Sequence, residues 1–330
     1  MLVQKRTKVK NKLYCEVLSL LLVLAFSLVF SGSGRWAYSE YDYVMTYSFP
    51  QYSALWEIDI NMRDARRIMN RVVMPMGDVN DGFSTIEHIR YVVNMSFSWY
   101  RESVLTDLLL DSAEVEARLN SIEFLEAAAN RQFDNMAMAF QAINANDMDG
   151  AKYFMDENID ISGEFAEHLN FIRDNVWERM AEASQLLSGF EQYRILREIE
   201  ADFMDVRNFM IMLVNSSGSA ENIDDLEYLI NYHMFKVAEN FEKFNQLDSG
   251  DNAQVIQLIT RLEDAILRYG QHIPLMIEAA RADSRAEAAQ LMMETAAILS
   301  EAYEHLRSLL NVIMERTWSN YDNIYFTLNT

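Results

Sequence analysis

The sequence predicts an all-α protein with an N-terminal transmembrane helix followed by two tandem antiparallel four-helix bundles. Three observations carry this. Of 330 residues only three are proline and ten glycine, while half are hydrophobic, a composition suited to long helices. One apolar run free of charge, VLSLLLVLAFSLVFSGS at 17–33, follows a basic head. Finally, EHLNFIRDNVWER at 167–179 returns as EHLRSLLNVIMER at 304–316, an ungapped offset of 137 residues.

The apolar run comes first in the chain. Its 17 residues span roughly 25 Å as a helix, near the lower limit for a bilayer crossing. Lys5, Arg6, Lys8, Lys10 and Lys12 precede it, whereas only Arg35 follows before Glu40 and Asp42. That asymmetry places the N-terminus in the cytoplasm and residues 36–330 outside. The same layout also fits a cleaved secretory signal, with the small residues Ser31 to Gly34 available for cleavage. No A-x-A follows the run, which favours an uncleaved anchor. The single cysteine, Cys15, precedes the run, so it is not a lipoprotein acceptor, and alone it excludes an intramolecular disulfide.

Beyond Arg35 the chain carries 22 basic and 49 acidic residues, a net charge of −27. A surface of that sign repels nucleic acid and anionic headgroups. Only Lys152, Lys236 and Lys243 remain as lysines there, so cations offered to a ligand are arginines.

Turn signals divide residues 36–330 into eight helical segments, with breaks at Pro75–Gly82, Asp111-Ser112, Asn144–Gly150, Ser188-Gly189, Asn215–Ser219, Asp248–Asp251 and Ala282–Ser284. Long segments joined by short turns pack as antiparallel neighbours. Aligning 151–179 on 288–316 gives ten identities in 29 positions. A second match, YSALWEIDINMRDARRIM from residue 52 on YRILREIEADFMDVRNFM from residue 193, has an offset of 141. First helix matches first helix and fourth matches fourth, which is tandem duplication of a four-helix unit. The domains are thus 1–35, the basic segment and anchor; 36–188, the first bundle; and 189–330, a diverged second bundle.

Within these helices apolar residues alternate by three and four: Leu55, Ile58, Met62, Ala65, Met69 and Val72 in one copy, Leu196, Ile199, Phe203, Val206, Met210 and Leu213 in the other. That spacing makes a coiled-coil-like seam facing a core. His168 and His305 fall beside the fourth-helix seam. Each stands four residues after a glutamate, one residue longer than the Glu-x-x-His of di-iron bundles, and boundary hydrogen bonding is the simpler reading. We therefore expect no metal and no cofactor. Neither a Walker or dinucleotide glycine loop, nor G-x-S-x-G, nor H-E-x-x-H is present, so the sequence does not read as an enzyme.

The anchor, then Pro50, then Leu55, Ile58, Met62, Ala65, Arg66 and Arg67, resembles the four-helix-bundle sensor module of bacterial methyl-accepting chemotaxis receptors, here as a tandem pair. The short acidic turns NDMDGA at 146–151 and DSRAEA at 283–288 match that module's turn between its third and fourth helices. The resemblance implies a sensory region in the bacterial cell membrane, a single-pass arrangement, a homodimer, and a small carboxylate or amino acid as ligand. The second membrane helix and cytoplasmic signalling hairpin of such receptors are not recognisable in this sequence. An anchored or secreted helical adaptor that binds another protein is the alternative.

In related bundles first-helix arginines at a dimer interface bind ligand carboxylates. The candidate ligand-binding residues here are accordingly Arg63, Arg66, Arg67 and Arg71, the densest basic cluster outside the anchor. By the heptad, Arg66 flanks the core and the other three lie toward the outer face. Arg66 has a counterpart, Arg207, which reads as a fold requirement, whereas Arg63, Arg67 and Arg71 face Met204, Asn208 and Met212. Asp59 stands four residues before Arg63, so a plain surface ion pair is also available. Arg90 and Arg101 are further cations that could join such a site.

Overall fold

The computed structural model describes residues 42–73, 78–183, 188–247 and 253–329. A π-helical turn, Val44–Ser48, leads into eight α-helices: α1 (Phe49–Val73), α2 (Val79–Thr106), α3 (Ser112–Asn144), α4 (Met148–Ala183), α5 (Ser188–Asn215), α6 (Ala220–Gln246), α7 (Ala253–Arg281) and α8 (Arg285–Asn329). Among the described residues there is no strand, and no helix is long and apolar enough to cross a membrane. The anchor expected at 17–33 lies outside the described residues, as do residues 75–77 of the first break and the break at 248–251.

The boundaries follow from capping. Asp78 accepts hydrogen bonds from the Asn80 and Asp81 amides at 2.8 and 3.1 Å, starting α2. Asp111 and Glu114 form a reciprocal capping box at the start of α3. The duplicated turns close alike. Asn146 and Asp283, 137 residues apart, adopt positive φ of 57° and 56°. The Asp147 amide then donates to the Ala142 carbonyl at 2.8 Å, and the Ser284 amide to the Ala279 carbonyl at 2.9 Å. Asn and Asp tolerate the left-handed region, and the five-residue return bond is a Schellman-type stop. The repeat is therefore visible in backbone hydrogen bonds as well as in letters.

Both heptad seams are buried throughout, from Leu55 to Val72 in α1 and from Leu196 to Leu213 in α5. Phe165, Leu169, Ile172 and Val176 of α4, with Ala302, Leu306, Leu309 and Ile313 of α8, complete the two interiors. Helix α1 packs on α2, α3 and α4, and α5 packs on α6, α7 and α8. Among the described residues, α1 and α5 are the one helix pair whose backbones come close between the two sets; the Arg194 guanidinium of α5 also lies over the Trp177 ring of α4, 5.1 Å from its centroid.

That contact is parallel and in register. Phe49 meets Phe190 with ring centroids 5.2 Å apart, Glu57 pairs with Arg197 at 2.8 Å, and Arg63 pairs with Asp205. Partners ascend together along both helices, each about 141 residues apart. Phe49 and Phe190 are the same position in the two copies, so they lie at an internal two-fold relation. The two first helices thus lie side by side. The apolar core continues from Val44 to Ile313 across this contact.

Truncating Phe190 removes a ring from the junction of both sets. We expect Phe190→Ala to cost about 3–5 kcal/mol in chemical denaturation. The loss should appear in a single transition, because the core is continuous. A separate early transition for one set would show that α1 and α5 do not couple them.

A cationic cavity beside the α1–α5 contact

Helix α8 roofs a cleft on one side of the paired helices, and α4 lies along the other. The helix backbones on these two sides, α1 to α8 and α5 to α4, make no close approach.

The α8 side holds a cavity of about 440 Å³. Its lining includes Asn61, Asp64 and Arg67 from α1, Met204 and Arg207 from α5, and Ser300, Tyr303, Glu304 and Arg307 from α8. Arg67 reaches Asp64 at 2.6 Å on its own helix. Arg207 is mostly buried yet forms no ion pair with a carboxylate among the described residues. Burial, and then the nearby Arg67, lower its pKa from the arginine range. The Tyr303 hydroxyl is buried without a hydrogen-bond partner, and burial pushes its phenol far above the usual tyrosine range. It therefore stays a donor at any physiological pH. Arg307 stands exposed at the mouth. The cavity thus combines three guanidinium groups and a free phenol against Asp64, already paired, and the exposed Glu304. A buried cation without a counter-charge costs free energy, and an anion bound there would offset that cost.

The α4 side is crossed by charge. Arg63 binds Asp59 at 2.8 Å and also Asp205 across the interface. Arg173 of α4 binds the other Asp59 oxygen at 2.8 Å while its guanidinium lies 3.8 Å from the Trp56 ring centroid. His233 of α6 contacts Asp202 at 2.8 Å and approaches Asp205 at 3.9 Å. Burial alone would raise the Asp59 pKa, but Arg63 and Arg173 outweigh it and hold the carboxyl at about 2.

The four candidate arginines separate accordingly. Arg67 lines the cationic cavity. Arg71 joins Arg67, Asp78, Asp81 and Thr85 around a smaller cavity of about 230 Å³ where α1 meets α2. Arg66 donates to the Met62 carbonyl at 3.4 Å, and burial followed by Arg63 lowers its pKa. Arg63 does not lie on an outer face: its side chain is only 14% exposed, because the second set of helices covers the side that a lone bundle leaves in solvent. Arg90 and Arg101 turn away to α3, where they bind Asp134 and Glu126. Arg207, Arg307 and Tyr303 were not among the candidates. His168 donates from Nδ1 to the Glu164 carbonyl, 3.0 Å away, and packs on Phe124; His305 lies 3.6 Å from Glu301.

The depressed Asp59 pKa has a pH consequence. Its stabilisation is full above the unfolded aspartate pKa of about 3.9 and is lost as pH falls toward about 2. An acid titration of unfolding should therefore show about 2 kcal/mol disappearing between those limits. Asp59→Asn should remove this limb and leave the neutral-pH protein less stable.

Comparison with protein-family models, with curated proteins and with solved structures returned no match.

Proposed function

We propose that the chain is the sensory, ligand-binding region of a chemotaxis-receptor-like protein in the bacterial cell membrane. An anchor at 17–33 would hold residues 36–330 outside the cell as two tandem four-helix bundles. The ligand is a small carboxylate or an amino acid, received in the cavity between α1, α5 and α8. One observation supports this most: Arg207, half-buried and with no ion pair among the described residues, and the buried, unpartnered Tyr303 hydroxyl both line a cavity large enough for such a molecule. Two guanidinium forks and a phenol match the acceptors of a carboxylate.

In this reading the first-helix face assigned by resemblance to a dimer contact is taken up within the chain by α5. The two units supply a paired arrangement inside one polypeptide, and a second copy of the chain would pair through another face. Binding would draw α1, α5 and α8 together, and such a shift between packed helices is a recognised way of switching.

A thermal-shift screen with small carboxylates and amino acids should yield a stabilising ligand. Arg207→Met should then weaken it about 10- to 100-fold, the loss of a charged hydrogen-bonding partner. Unfolding without ligand should be unchanged or delayed, since the substitution removes an unpaired buried charge. Tyr303→Phe should give a smaller loss, and Arg90→Ala none. If no small ligand stabilises the chain, the direct-sensor reading is wrong.

A further inference from the structure

The two clefts beside the α1–α5 contact are equivalent under the repeat. In a two-fold interface, whatever residue i does to j is returned by the copy of i acting on the copy of j. Offset 141 pairs Arg63 with Met204, Asp64 with Asp205, and Arg66 with Arg207; offset 137 pairs Asn170 with Arg307. The reciprocal of the Arg63–Asp205 ion pair is therefore Met204 beside Asp64, and both of those line the open cavity. There Met204 offers no charge, Asp64 is held by Arg67, and space remains. On the α4 side the cleft is bridged, with Asp205 drawn onto Arg63 and Asn170 held by Arg173.

We infer that the α4-side cleft is a second anion site occupied from within by the Asp205 carboxylate, leaving one site per chain open to ligand. The inference rests on reading the α8-side cavity as an anion site. Arg63, Arg173 and the neighbouring Arg66 present three guanidinium groups to Asp59 and Asp205, so the inner carboxylate performs there what a ligand carboxylate performs on the α8 side. Divergence between the copies, Arg63 against Met204 above all, converts a symmetric pair of sites into one sealed and one open.

The test replaces the inner anion with an outer one. Asp205→Asn keeps the side chain's shape and removes its charge, leaving Asp59 to face Arg63, Arg66 and Arg173, with Glu198 beside Arg173. Crystals of the native full chain soaked in selenate should show one selenium peak beside Arg207, and Asp205→Asn crystals two, the second between Arg63 and Arg66. A folded Asp205→Asn chain whose α4-side cleft stays empty overturns the inference. A peak there, with none beside Arg207 in the native chain, upholds Asp205 as the occupant of the α4 side but overturns both the open site and the ligand site proposed above.

Solution data guard against a poorly folding variant. Sulfate should raise the unfolding midpoint of Asp205→Asn by several degrees more than it raises the native chain or Asp134→Asn, which loses only an exposed partner of Arg90. Equal shifts in all three would also overturn it.

Discussion

The packing of α1 along α5 is the constraint on which the remaining features depend. Two helices that carry the same heptad seam bury it toward different partner helices, and they meet through the faces left over. Those faces contain Phe49 and Phe190, whose rings meet at a tilt, and below them a ladder of arginines and acids. Because the helices are parallel and in register, each charge meets the neighbourhood of its own counterpart. Covalent linkage makes this pairing intramolecular, so the association cost that two separate chains would carry is largely removed. The interface can then hold half-buried charges that a weak dimer would find costly.

Much of this was legible before any coordinates. Alternation by three and four marked every buried seam residue of α1 and α5, since a helix buries one stripe and a short turn forces the next helix antiparallel. The matching turns at 146–151 and 283–288 carried their Schellman-type geometry in sequence, through Asn146 and Asp283. The faces of the arginines were not legible. A heptad assigns inside and outside for one bundle, and Arg63 is outside by that rule. It becomes half-buried only because α5 lies there, a tertiary fact with no local signature.

Arg207 did have a signal that sequence alone could have yielded. Neither Arg66 nor Arg207 has a carboxylate three or four residues away on its own helix: Met62, Arg63, Met69 and Asn70 surround the first, Phe203, Met204, Met210 and Ile211 the second. An arginine beside a core seam with no helical partner must find one elsewhere or stay unpaired. Reading its recurrence as a requirement of the fold overlooked that choice. Tyr303 was hidden differently. Its counterpart is Ala166, so the repeat comparison presents it as drift, although the departure places a buried hydroxyl against the cavity.

The asymmetry of the two clefts bears on how such a region could respond. A ligand alters a conformational equilibrium only through a difference in its affinity for the two states. Two equal sites on either side of α1 and α5 would pull the helices symmetrically, and sideways displacements would cancel. Here the α4 side is tied by Arg63, Asp59, Asp205 and Arg173, while the α8 side holds unpaired donors on different helices. Binding on that side would act against a fixed edge. The differential free energy would then appear as rotation of α5 and α8 about the sealed edge. The excess negative charge of the chain acts in the same direction. It would repel an approaching anion at long range, so affinity for one would have to come from the short-range field of Arg67 and Arg207, with Arg307 at the exposed mouth.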